Sequence, residues 1–227
     1  MFDADNTLFD FSLAEHNSFQ AACSATDTEF TEQLYRAYSA INDSLWKRLE
    51  KKEVTVDFIK TERFRRLLTE HLGCPDNAET MEKAEFWREN YMLNLGRQSC
   101  LIDGAEEICA ELFGRYKLYI VTNGISWIQR SRFTPSKIYR FITELFISEE
   151  IGAAKPSREY FDFVIDRIGD SDREKYLVVG DSLTSDCDGA IASGIDICFY
   201  NPKNLPSSGR QLTYNISKLS ELRNILL

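Results

Sequence analysis

The texture of this 227-residue chain changes near residue 99, and that change limits its fold more than any single motif does. From there onward, short apolar runs at 118–121, 145–147, 176–179 and 195–200 alternate with helical stretches near 104–115, 125–133, 157–168 and 184–193. Runs this short and this apolar read as strands buried on both faces. Alternating with helices, they predict an α/β fold in which a parallel sheet carries helices on both sides. Residues 201–210, with two prolines and a glycine, read as an exposed loop before a final strand and helix.

Residues 12–95 read differently, as helix after helix with no strand alternation. Phe30, Leu34, Tyr38, Ile41, Leu45 and Leu49 recur at steps of three or four, as do Ala84, Trp87, Tyr91 and Leu95. Such stripes predict the core of a helical bundle rather than a cofactor site. Ser12 and Glu15 fit a capping box opening the first helix, and Gly73-Cys74-Pro75-Asp76 breaks the pattern between later ones. The expected organisation is an α/β unit of residues 1–11 and 99–227, with an all-α helical-bundle cap at 12–98 inserted into it.

Composition excludes several classes. Hydrophobic content of 43% with 12% aromatics indicates a folded globular chain. No run reaches the roughly 18 apolar residues of a membrane span, and the N-terminal stretch lacks a signal-peptide pattern, so a cytoplasmic protein with no membrane partner is expected. A net charge of −9 argues against nucleic acid as a partner. The six cysteines are scattered, with only His16 and His71 as companions, so reduced thiols are expected rather than zinc ligands or a disulfide framework.

In a parallel sheet, ligands bind beyond the carboxyl ends of the strands, so the residues following each strand carry the chemistry. Asp3-Ala4-Asp5-Asn6-Thr7 places two carboxylates on alternate positions, which share a face on extended backbone. Thr122-Asn123-Gly124 follows the first apolar run, Lys155-Pro156 lies beyond the second, and Gly180-Asp181 through Asp186 follows the third. Each piece alone also reads as a turn, a cap or a solvated charge; their order after successive strands points to metal-assisted phosphoryl transfer. Asp3 and Asp181 offer the hard oxygen ligands that suit Mg²⁺, and Lys155 can neutralise the transferring group. Thr122 can donate its hydroxyl to a phosphoryl oxygen, and the turn at Asn123 and Gly124 can add backbone N–H groups at a helix N-terminus. There is no Walker-type glycine-rich loop.

These four ordered motifs resemble those of the haloacid dehalogenase superfamily over nearly the whole chain. The resemblance implies a Rossmann-like catalytic core, a C1-type cap at 12–98, and Mg²⁺ as cofactor. It further implies that Asp3 attacks phosphorus to form an aspartyl-phosphate, while Asp5 protonates the leaving oxygen, then activates water, and ligates the metal through its main-chain carbonyl. Thr122 and the Asn123 backbone would hold phosphoryl oxygens, Lys155 would position Asp3 and the phosphate, Asp181 would ligate the metal, and Asp186 would support its water shell. An acid at Asp5 favours an oxygen leaving group over halide, hence a phosphatase over a haloacid dehalogenase. No cap lysine stands out as the Schiff-base group that phosphonate hydrolysis would require.

Residues 2–11, Thr122-Asn123-Gly124 with Gln129, and 178–186 continuing to Gly194-Ile195 and Tyr200-Asn201-Pro202 are similar to bacterial 5'-nucleotidases acting on pyrimidine and noncanonical nucleoside monophosphates. The partner implied is a small phosphorylated metabolite, a nucleotide, bound by a monomer or homodimer. A phosphosugar or phosphoglycolate phosphatase, a haloacid dehalogenase, and an inactive binding protein on the same fold are the alternatives. Phe11 and Phe19 could stack on a base or fill the bundle core. One departure stands out: only Met1 and Phe2 precede Asp3, too little for an ordinary strand at about 3.3 Å per residue. The expectation is that a few N-terminal residues are missing and that neighbouring apolar edges are exposed.

Overall fold

Three helices of the segment Ser12–Gln98 begin at side chains that accept the N–H groups a helix start leaves unpaired. Thr31 accepts from the Leu34 N–H at 3.1 Å, Thr55 from Phe58 at 3.2 Å and Asn77 from Thr80 at 3.0 Å. They open α2 (Glu32–Glu50), α3 (Val56–His71) and α4 (Ala78–Leu95), which follow α1 (Phe11–Ala25) in a computed structural model that describes every residue except Lys52. Residues Ser12–Gln98 form one compact unit, and Met1–Phe11 with Ser99–Leu227 form the other.

The helical unit is closed by aromatic packing. Phe19, fully buried, stacks on Tyr38 with ring centroids 4.6 Å apart, and Tyr38 stacks on Phe64 at 5.4 Å. Trp87 and Tyr91 complete the cluster from α4. Burying each such ring contributes roughly 1.5–3 kcal/mol. Phe19 is therefore bundle core and not a platform for a base. Leu34, Tyr38, Ile41 and Leu45 are buried as the stripe predicts, whereas Phe30, ahead of α2, and Leu49 are only half-buried. Ser12 lies inside the first helix and not at its N-cap. The first helix already includes Phe11, and Glu15 turns into the bundle, where it accepts hydrogen bonds from Asn42 and Tyr35.

In the other unit the strands are β1 (Leu118–Thr122), β2 (Ile142–Ile147), β3 (Leu177–Gly180), β4 (Asp196–Tyr200) and β5 (Tyr214–Ile216), each within a few residues of its expected place. The helices are α5 (Ala105–Leu112), α6 (Ser126–Phe133), α7 (Ser148–Ile151), α8 (Arg158–Ile168), α9 (Asp188–Ala192) and α10 (Arg223–Leu226). β1 pairs with β2, β3 with β4 and β4 with β5, all parallel. Residues 1–3 join the two groups: Phe2 bridges Ile120 and Val179. Its N–H donates to Tyr119 and its carbonyl accepts from Val121, while Asp3 donates to Val179 and Val179 donates to Met1, all at 2.7–2.9 Å. The spatial order is thus β2, β1, residues 1–3, β3, β4, β5.

The expected exposure of apolar edges beside this segment is not observed, because Phe2 fills the space between them and Ile120 and Val179 are buried. Side-chain alternation then divides two cores. Leu118, Ile120, Cys198 and Tyr200 face one layer with α5, while Tyr119, Val121, Ile197 and Phe199 face the other with α8. The helix expected at 184–193 is split into a π-helical turn, Leu183–Cys187, and α9. That turn brings Asp186 back towards the end of β3, where its Oδ2 accepts from the Ser182 N–H at 3.1 Å.

Candidate active site

Each strand end in the middle of the sheet delivers one polar side chain. Asp3 follows the bridging Phe2, Thr122 is the last residue of β1, and Asp181 follows the last residue of β3. Lys155 comes from the connection between α7 and α8. Its Nζ donates to Asp3 Oδ1 at 2.5 Å, to Asp186 Oδ1 at 2.6 Å and to the Val121 carbonyl at 2.8 Å. Asp3, Asp181 and Asp186 each place a carboxylate oxygen within 4.8 Å of the others. Gly180 permits this approach, since a Cβ there would lie 2.3 Å from the Asp186 carboxylate.

Asn123 braces the lysine. Its Nδ2 donates to the Lys155 carbonyl at 2.8 Å and its Oδ1 accepts from the Lys155 N–H at 2.9 Å, a reciprocal pair that sequence reasoning did not assign. The Thr122 hydroxyl oxygen accepts from the Gly124 N–H at 3.0 Å, which leaves the hydroxyl hydrogen available to a ligand. One expected donor is therefore already used. The Gly124 N–H is on Thr122, and the first N–H of α6, at Ser126, is on Glu149 Oε2 at 2.7 Å.

Charge in this pocket does not balance. Burial alone would lower the Lys155 ammonium, but the adjoining Asp186 and Asp3 carboxylates outweigh it and keep the proton on the lysine. One ammonium then faces three carboxylates, an imbalance that either protons or a bound cation can relieve. Burial, followed by the repulsion of Asp186, raises Asp181 to about 7. Asp3 is raised well above the usual carboxylate range by burial, with Lys155 opposing the shift and Asp186, Asp181 and Asp5 adding to it. A divalent cation with a preference for oxygen ligands fits this donor set in both charge and chemistry.

The sequence profile of the haloacid dehalogenase-like hydrolases matches residues 1–194. The chain belongs to this family. It is 36% identical over its whole length to the HAD-hydrolase YfnB of Bacillus subtilis, covering 94% of that protein. YfnB, solved as a crystal structure bound to magnesium, superposes with a TM-score of 0.90 over 99% of this chain and 96% of its own. The pyrimidine 5'-nucleotidase PynA of Streptococcus pneumoniae is 32% identical over 100% of the chain and 93% of its own length. YjjG of Escherichia coli, also a pyrimidine 5'-nucleotidase, is 29% identical over 99% and 96%.

In this hydrolase the remaining motif aspartate, Asp5, is held by α6. Gln129 Nε2 donates to Asp5 Oδ2 at 2.6 Å, and Arg132 Nη1 donates to Asp5 Oδ1 at 2.7 Å. No motif reading placed Arg132 in the site, and Gln129 figured only in a resemblance. The available signal was their spacing: three apart on a helix, they share a face, and that face adjoins the core residues Ile128 and Phe133. Among the described residues no helix is long and apolar enough to cross a membrane.

Proposed function

We propose that this hydrolase is a Mg²⁺-dependent cytoplasmic phosphatase that cleaves a nucleoside 5'-monophosphate or a similar small phosphate monoester through an aspartyl-phosphate. The observation that carries the reading is the convergence of three carboxylates, of Asp3, Asp181 and Asp186, around the single ammonium of Lys155. Asp3, Asp181 and the Asp5 main-chain carbonyl would hold the ion. Asp186 stands behind them, because its two oxygens already accept from Lys155 and the Ser182 N–H. Mg²⁺, when bound, supplies the neutralisation that lets a phosphate dianion approach a carboxylate.

An Asp3 oxygen attacks phosphorus, the ester P–O bond breaks with its electron pair going to the leaving oxygen, and Asp5 passes its proton to that oxygen. Asp5 then takes a proton from water as the water oxygen attacks the acyl-phosphate, freeing inorganic phosphate and restoring Asp3. Thr122 donates its free hydroxyl hydrogen to a phosphoryl oxygen, joined by the Asn123 backbone, and Lys155 keeps Asp3 in line. Full-length similarity to two pyrimidine 5'-nucleotidases supports a nucleotide as substrate. Residues 12–98 serve as the cap that selects the leaving group.

The test is a panel of phosphate monoesters assayed with Mg²⁺ and with chelator, for the wild type, Asp3→Asn and Asp5→Asn. Nucleoside 5'-monophosphates should be the best substrates, chelation should abolish turnover, and Asp3→Asn should lower kcat by about 10⁴-fold or more. Turnover without metal, or an active Asp3→Asn enzyme, would overturn the mechanism. Sugar phosphates reacting as well as nucleotides would overturn the nucleotidase assignment alone.

A further inference from the structure

We propose that Gln129 and Arg132 are positioning residues that hold the Asp5 carboxylate in the orientation from which it serves the leaving oxygen; the inference rests on the phosphatase reading above. Both residues are buried, at 2% and 0% exposure, and each takes one oxygen of Asp5. A carboxylate has about four acceptor directions, so two stay free for the proton that catalysis moves. The Asp5 side chain remains 24% exposed, open on that side.

Several features show that the pair is built for Asp5 and not for packing. Gly124 clears the path of Gln129, whose Nε2 would lie 2.0 Å from a Cβ at that position. The Arg132 guanidinium lies over the Phe9 ring at 4.8 Å and the Phe11 ring at 5.8 Å, which restricts its orientation. Among the described residues, Arg132 Nε and Nη2 and Gln129 Oε1 have no hydrogen-bond partner. The fully buried Arg132 guanidinium is thus committed to a single hydrogen-bond partner. Its one strong bond goes to Asp5, while Ile128 and Phe133 of the same helix supply apolar packing.

If these residues act through Asp5, their loss should depend on the leaving group. An alkoxide such as a ribose 5'-oxygen needs the proton from Asp5 to depart, whereas 4-nitrophenolate leaves readily without it. Hydrolysis of the acyl-phosphate needs Asp5 as base for both esters. The experiment compares first-turnover and steady-state rates of Arg132→Met, Gln129→Leu and Arg132→Lys on a nucleoside 5'-monophosphate and on 4-nitrophenyl phosphate, with thermal melting of each variant as the folding control.

In Arg132→Met, the first turnover of the nucleotide should fall on the order of 10²-fold in kcat with KM little changed. The nitrophenyl ester should instead give a burst of one nitrophenolate per enzyme, with phosphorylated protein accumulating in acid-quenched intact-mass spectra. Gln129→Leu should shift the same way to a smaller extent, and Arg132→Lys should restore part of the nucleotide rate. Equal losses on both esters without a burst, or no loss in folded Arg132→Met and Gln129→Leu, would overturn the proposal and leave the phosphatase reading intact. A wild type that turns over neither ester overturns both.

Discussion

In the helical unit, Glu15 and Arg63 are buried one for one, whereas in the sheet unit the single ammonium of Lys155 faces three carboxylates. The first pair is linked through Asn42, which donates to Glu15 Oε1 at 2.8 Å and accepts from Arg63 Nη1 at 3.2 Å. Aromatic rings enclose it, with the Arg63 guanidinium 4.5 Å from the Tyr91 centroid and 5.0 Å from that of Phe64. Opposite charges stand in equal number there, surrounded by rings, although Arg63 Nε and Nη2 have no hydrogen-bond partner among the described residues. The Lys155 cluster has three carboxylates for one ammonium, and protons or a cation from solution must make up the difference. Burial is common to both clusters, so what separates a structural group from a site is the sum of the charges.

Arg63→Met should show the largest effect on that contrast. Above about pH 8, where the wild-type Glu15 is ionised, it leaves that carboxylate buried without its counter-charge, so denaturant unfolding there should lose about 3–5 kcal/mol. Asp3→Asn, which removes a charge from the overloaded cluster, should unfold in metal-free buffer at the same denaturant concentration as the wild type or a higher one. A comparable loss in the two variants would erase the distinction.

The next effect is a pH dependence. Burial raises Glu15 to about 7, with Arg63 and the Tyr35 hydroxyl only partly offsetting it. The folded state therefore retains a proton that the unfolded chain, with a carboxyl near 4.5, has released. The stability that Glu15 contributes is full below about pH 4.5, declines as pH rises through 7, and is level above that. The change is on the order of 3 kcal/mol. Subtracting the unfolding profile of Glu15→Gln from that of the wild type isolates it, and a flat difference would contradict it.

The smallest effect is metal linkage at the other cluster. Mg²⁺ at a hundredfold excess over its dissociation constant should stabilise the wild type by about 2.7 kcal/mol. Calorimetric melting should register this as a rise that disappears in Asp181→Asn. Persistence of the rise in that variant would place the ion elsewhere.

Much of the site was legible because it lies at strand ends. Thr122 and Asp181 follow short apolar runs, and a parallel sheet collects the ends of its strands on one edge whatever the loops do. Lys155 was legible by its order in the chain, although the motif does not show that Asn123 holds its backbone from both sides. Gln129 and Arg132 escaped because they project from the interior of a helix, where polar residues normally face solvent. Ser12 and Glu15 misled for a related reason. The capping-box spacing is local, but the burial of Glu15 is decided by α2 and α3, which supply Tyr35, Asn42 and Arg63.

The sequence by itself determined the two textures, the strand and helix periods and the identity of the groups at the strand ends, because backbone periodicity and side-chain chemistry are local properties. Only the tertiary structure decided which charges meet. Residues 1–3 pair with β1 and β3, Asp186 turns back on Lys155 past Gly180, and Asp5 is held by α6 past Gly124. Each of these contacts spans residues distant in the chain, and the energy of a buried charge depends on everything packed around it.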